Sequence, residues 1–225
     1  MQKKIGFIGL GQMGRWMATN LAVKGFDLTV FDVDDKAVEK LAEKGAKPSK
    51  SPADLAKQVD CIFLSLPNSQ VVETVVFKDN GIVTASKPGQ ILIDCGTSNF
   101  LWTQEFHQRL LKHNIRFADV PVTGMEQRAK EATLAFMFGG EKELLEEIRP
   151  ALEAMGTEVQ YMGDIGTGQL SKTINNILLN IHLAALAEVV PMAVKMGLDP
   201  KRIVDVINNG SGKSFASSVF LPWIL

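Results

Sequence analysis

The sequence predicts an α/β architecture, a doubly wound parallel sheet followed by an all-helical segment, on three observations. Short apolar runs alternate with amphipathic ones through the first two-thirds of the chain. That order implies parallel strands joined by helical crossovers. The apolar runs are nearly continuous, as in strands covered on both faces. The strand pattern stops at GDIGTGQ, residues 163–169, and only helical periodicity follows.

The elements follow in order. IGFIG is the first strand, with a helix over 12–24 behind it. LTVFD is the second, ahead of a helix over 35–44. CIFLSLP precedes a helix over 69–77, and QILIDCG precedes one over 99–113. RFADVPV and TLAFMFGG read as two more strands, followed by a helix over 141–154 and a short strand, EVQYM. Past the break, helical periodicity runs over 167–195, where Pro191 is an expected kink. Gly197 ends that helix, and Pro200 sits in the first turn of the next, 200–208. The chain therefore divides into residues 1–164 and residues 165–225. The second part holds only about sixty residues, near the lower limit for an independent core. Ile203, Val206, Phe215, Val219, Phe220 and Trp223 crowd its end, which closes on FLPWIL. This domain is expected to be incomplete, its apolar side chains covered by a second subunit or by further C-terminal chain.

Composition narrows the function. Of 225 residues, 46% are hydrophobic and 22% charged, as in ordinary globular proteins. A net charge of −1 gives no footprint for nucleic acid or an anionic membrane. The uncharged stretch 173–187 contains Asn175, Asn176, Asn180 and His182 and reads as too short and too polar to span a bilayer. Cys61 and Cys95 lie in apolar runs and read as buried reduced thiols, which fits the cytoplasm. The apolar run after the first lysines is too short for a secretion signal. His107, His113 and His182 are not spaced as metal ligands, so no metal site is expected.

The glycines specify more. Gly9, Gly11 and Gly14 form G-x-G-x-x-G between the first strand and the first helix, and Asp32 ends the second strand. This is the dinucleotide fingerprint in its required context, a Rossmann-type arrangement. Gly9 permits the turn, Gly11 lets backbone approach a pyrophosphate, and Gly14 lets the helix lie close on the sheet. Gln12 and Met13 complete the turn, whose helix N-terminus offers N–H groups to phosphate. Asp32 is placed to accept from ribose hydroxyls. No arginine follows it in Val33-Asp34-Asp35, so NAD is expected in preference to NADP. Leu66, Pro67 and Thr97 fall at later strand ends, where such sheets bind ligands.

Two segments carry candidate chemistry. In GTGQLSKTINN, Lys172, Asn175 and Asn176 stand at i, i+3 and i+4, on one helix face. A partly buried lysine can act as acid or base, and the amides can hold a carbonyl or carboxylate. The same spacing fits a solvated lysine beside asparagines that serve the backbone. In DVPVTGMEQRA, Thr123 and Gly124 follow a strand end and could form a backbone nest for a carboxylate, with Arg128 near an anionic group. A plain turn fits these residues too.

Four motifs together resemble the β-hydroxyacid dehydrogenases: GFIGLGQMGRWMATNL, DCGTS, DVPVTG and GDIGTGQLSKTINN, in the family's order and over essentially the whole chain. The resemblance implies hydride transfer between NAD(P) and a short 3-hydroxy acid or its semialdehyde. It implies Lys172 as acid/base with Asn176 its partner, Thr123 and Gly124 as the carboxylate clamp, and Thr97 touching nicotinamide or substrate. It also implies a helical domain through which the chain forms a homo-oligomer, and a small anionic carboxylate or semialdehyde as the molecule bound. Three departures stand out. Met125 replaces a usual glycine, Arg128-Ala129 and Ala132-Thr133-Leu134 replace G-A and G-T-L, and family chains extend further. The lost glycines are expected to restrict backbone approach to the substrate. Two rival readings keep the fold. One is an imine reductase, against which Lys172 argues. The other is a dinucleotide-binding protein without turnover.

Overall fold

The computed structural model describes residues 3–224. The chain divides into two compact units, Met1–Lys172 and Thr173–Leu225.

The first unit opens with β1 (Ile5–Ile8), α1 (Gly14–Val23), β2 (Leu28–Phe31), α2 (Asp35–Ala42), β3 (Lys47–Pro48), α3 (Pro52–Gln58), β4 (Cys61–Leu64) and α4 (Ser69–Phe77). A 3-10 turn over Ile82–Thr84 leads to β5 (Ile91–Asp94), α5 (Phe100–Leu111), β6 (Arg116–Asp119), β7 (Val122–Thr123) and α6 (Met125–Lys130). The unit closes with β8 (Leu134–Gly139), α7 (Lys142–Met155), β9 (Gly156–Gly163) and the start of α8 (Thr167–Lys195). The sheet runs β3-β2-β1-β4-β5-β6-β8-β7, with β9 on β8. The strand order reverses between β1 and β4, which opens a crevice at their carboxyl ends.

The sheet is not parallel throughout, as the sequence suggested. β8 pairs antiparallel with both β6 and β7. The reason is local: β6, β7 and β8 are joined by short links, with no helical crossover long enough to return a parallel strand. Some short elements were not legible in the sequence. β3 has only two residues, α3 starts on the Ser51-Pro52 pair that reads as a turn, and α6 lies in the stretch read as a loop.

Alternating side chains feed two cores. Ile5, Phe7, Phe63, Ile91 and Ile93 pack with α1, α2 and α7. Ile8, Ile62, Leu64, Leu92 and Phe117 pack with α3, α4 and α5. Both faces of the strands are therefore buried, which explains why their sequences are apolar without alternation.

In the second unit, Val190, Val204 and Leu221 form a small cluster with Leu186, Ile203 and Ile207 against it. It contains the rest of α8, then α9 (Pro200–Asn209), α10 (Phe215–Val219) and α11 (Leu221–Ile224). Asp199 caps α9 by accepting from the Arg202 N–H, and Ser214 and Ser217 form a reciprocal capping box on α10. α8 stays helical through Pro191. With 29 residues and a mean hydropathy of 1.9 in its most apolar stretch, α8 is long and apolar enough to cross a membrane. The reading of 173–187 as too short fails because flanking turns of low charge extend the helix at both ends.

Candidate active site

Parallel register aligns the strand ends. Ile8 pairs with Phe31 and Leu64, Leu64 with Asp94, and Asp94 with Asp119. The residues that follow them therefore share one edge of the sheet: Gly9, Asp32, Ser65-Leu66-Pro67, Cys95–Ser98 and Val120.

The glycine turn has the features that a dinucleotide needs. Gly9 takes φ +95°, and a Cβ there would lie 2.3 Å from the Ser65 carbonyl oxygen. A Cβ on Gly14 would lie 1.9 Å from the Gly9 carbonyl oxygen, so α1 can start only on glycine. A Cβ on Gly11 would meet nothing within 4 Å. That face is open, and a groove of about 710 Å³ borders it, lined by Leu10, Gly11, Gln12, Arg15 and Asp34 among others. A groove of similar size, about 750 Å³, surrounds His107 and Tyr161 but includes none of the glycine turn. Side chains cap α2, α3, α4 and α5, whereas no side chain caps α1. Its N–H groups and positive dipole end suit an anion. Met13 is the helix cap residue, and Gln12 is exposed in the turn. Asp32 accepts from the Leu10 N–H and, at 2.9 Å, from the Asp34 N–H. It braces the turn, and each carboxylate oxygen keeps a second acceptor site for a ribose hydroxyl. Leu66 is half-buried and Pro67 exposed at the crevice where the strand order reverses.

A buried polar network joins the next strand ends to α8. Asp94 accepts from the Gly96 N–H at 2.9 Å and the Ser98 hydroxyl at 3.0 Å. Burial raises its pKa above the ordinary aspartate value. Asp119 accepts from the N–H groups of Gly166 at 2.6 Å and Gln169 at 2.8 Å. It satisfies the first turn of α8 from outside that helix. Burial pushes Asp119 up to about 7 against these two bonds. Gln169 is fully buried. Its Oε1 accepts from the Ser98 N–H, and its Nε2 donates to the Gly96 carbonyl, each at 2.9 Å. Thr97 lies between those two contacts and is exposed.

Lys172 follows Gln169 by three residues and is half-buried, which lowers its pKa below the usual lysine value. Asn175 is exposed and Asn176 half-buried on the same helix, in the second unit.

The segment after Thr123 departs from expectation. Thr123 pairs with Ala135 in the sheet, and Gly124 takes φ +137°. Met125 and Ala132 adopt φ +61° and +55°, left-handed conformations natural to glycine. The chain keeps the glycine conformation at both positions and bears the strain. Arg128 packs its side chain beside Gly124. Glu126 reaches α1: it accepts from Gln12 Nε2 at 2.8 Å and Trp16 Nε1 at 2.9 Å and pairs with Arg15. These donors hold its carboxylate down at about 2.

Glu126, Asp119, Ser98 and Gln169 were not singled out in the sequence. Only the Gly166 and Gly168 pair could have signalled the network, because a Cβ on Gly168 would lie 2.4 Å from the Met137 carbonyl oxygen.

Residues 4–163 match the family model described as the NAD binding domain of 6-phosphogluconate dehydrogenase. Residues 166–225 match the one described as NAD-binding of NADP-dependent 3-hydroxyisobutyrate dehydrogenase. A probable mitochondrial 3-hydroxyisobutyrate dehydrogenase of Dictyostelium discoideum is 39% identical over 98% of this chain and 68% of its own length. An NAD-dependent L-serine dehydrogenase of Pseudomonas aeruginosa is 37% identical over 98% of this chain and 74% of its own. The structure of Mycobacterium tuberculosis 3-hydroxyisobutyrate dehydrogenase with L-serine has a TM-score of 0.89 at 32% identity, covering 99% of this chain and 75% of that one. An imine reductase from Myxococcus stipitatus, 18% identical with a TM-score of 0.85, shares the fold alone. The chain belongs to the β-hydroxyacid dehydrogenase family.

Proposed function

We propose that this protein is an NAD-dependent dehydrogenase of a short 3-hydroxy acid, working reversibly as a semialdehyde reductase, with Lys172 as the general acid/base. The observation that carries the reading is a half-buried lysine, its pKa lowered by burial, one helical turn from the side chain that holds the 96–98 loop. The nicotinamide, when bound, supplies or accepts the hydride. The glycine turn and the uncapped end of α1 hold the pyrophosphate, and Asp32 takes the ribose hydroxyls. Thr123 and Gly124 hold the substrate carboxylate. In reduction, Lys172 protonates the oxygen on which negative charge develops. In oxidation, neutral Lys172 removes the hydroxyl proton. Asn176, one turn further, orients the same oxygen.

We further propose that the second unit associates with a second copy. Ile174, Ile177, Leu178 and Ile181 form a stripe at i, i+3, i+4 and i+7 on α8, each more than half exposed. Such a stripe on a family helix supports a protein partner.

The reading is tested with purified protein and NAD+ against L-serine, 3-hydroxyisobutyrate and 2-(hydroxymethyl)glutarate, and with NADH against small semialdehydes. Turnover of at least one carboxylate substrate is expected. Dinucleotide binding with no turnover on the panel would favour the non-catalytic reading. Turnover of a cyclic imine alone would favour the imine reductase.

A further inference from the structure

We propose that Gln169 is a positioning residue that fixes Lys172 relative to Thr97, with Asp119 anchoring the helical turn that carries both. The inference rests on the reading of Lys172 as the acid/base.

The first turn of a helix leaves N–H groups without intrahelical partners. In α8 Asp119 takes two of them, at Gly166 and Gln169. The turn cannot slide on the sheet. A Cβ on Gly168 would lie 2.7 Å from the Asp119 carbonyl oxygen, and one on Gly139 would lie 2.8 Å from the Gly168 nitrogen. Backbone therefore packs on backbone around the Asp119 carboxylate.

From this fixed turn, the Gln169 amide reaches the loop after β5. It bonds once on each side of Thr97, at the Gly96 carbonyl and the Ser98 N–H. One planar group making both bonds fixes the distance and the orientation of the loop. An amide is the side chain that suits: it must donate to a carbonyl and accept from an N–H, and Asp94 and Asp119 already put two carboxylates into this network. Lys172 stands at i+3 from Gln169, so their Cβ atoms are neighbours about 5–6 Å apart on one helix face. The chain of rigid links is short: strand end, 96–98 loop, Gln169, one turn of α8, Lys172. Small displacements of a reacting group, on the order of 1 Å, can cost about 100-fold in rate.

A residue that only satisfied buried backbone groups would affect stability alone. The test uses the full chain with NAD+ and the best substrate of the panel above, with active protein counted by NADH titration. Gln169→Met removes both bonds at similar volume. Gln169→Glu keeps the acceptor for Ser98 and loses the donor to Gly96, and it serves if the Met variant does not fold. Lys172→Ala is run alongside. Amide exchange at Ser98 reads the clasp directly, with or without turnover. The expected result is faster Ser98 exchange, kcat lowered roughly 10- to 100-fold, and substrate KM changed less than about threefold. Wild-type kcat in a folded Gln169 variant, or unchanged Ser98 protection, overturns the proposal. Wild-type kcat in Lys172→Ala instead overturns the acid/base reading on which it rests.

Discussion

Single residues show where the chain stores strain and charge. Met125 and Ala132 hold left-handed backbone, which costs a non-glycine residue about 1–2 kcal/mol. Met125→Gly recovers most of that and loses part to unfolded-chain entropy. It should raise stability by about 1 kcal/mol in urea unfolding, while Met125→Ala should gain nothing. Asp119 gives a pH dependence. Its folded pKa of about 7 lies above the unfolded 3.8. Between those values the native state keeps a proton that the unfolded chain has lost. Its contribution to stability therefore falls as pH rises through the window and is gone above it. Between about pH 4.5 and 7 wild-type stability should fall with a slope that Asp119→Asn flattens. An equal slope in both proteins would contradict the assignment. The proposed role of Asp32 predicts that calorimetry should show NADH binding more tightly than NADPH, because a carboxylate at the ribose repels a 2′-phosphate. The placements of Gly9, Gly11, Gly14 and Asp32 were legible because each follows from its place in a strand–turn–helix pattern. Those of Gln169 and Glu126 were not, because their partners lie 71 and more than 100 residues away in sequence.

Among elements, α8 and α6 matter most. The limits of α8 were readable from its periodicity and from Gly197, and the resemblance pointed to its lysine. Its anchoring was hidden, since Asp119 comes from a different strand. α6 was hidden for the opposite reason. Its start at Gly124-Met125 carries turn chemistry, and its ties to α1 are contacts distant in sequence: those of Glu126 with Arg15 and Trp16, and the bond from Asn20 to the Ala129 carbonyl. The low pKa of Glu126 keeps its tie charged throughout the range in which Asp119 titrates. Acid or base limbs in catalysis should therefore not come from α6. The lowered pKa of Lys172 should instead appear as a limb below the usual lysine value. Oxidation should accelerate as pH rises through it, and reduction should slow.

At the scale of the molecule, the parallel β1–β6 core was legible from βα alternation. The antiparallel pairing of β8 was not, because short links among β6, β7 and β8 leave no periodic signature. The apolar surface of the second unit was foreseen. Val206, Phe215 and Trp223 are more than half exposed, and Ile203, Val219 and Phe220 are half-buried. With the stripe on α8, this surface should drive association. Sedimentation should give a mass at least twice the 24.6 kDa of one chain. A detergent-free monomer would contradict that expectation, and recovery only with membranes would assign α8 to a bilayer. The proposed chemistry centres on Lys172. The most direct measurement is kcat for Lys172→Ala against wild type on the best hydroxy acid, with NADH affinity measured in the same preparations. The expected result is kcat lowered by about 10²- to 10⁴-fold with NADH affinity nearly unchanged. A variant that turns over at the wild-type rate would contradict it.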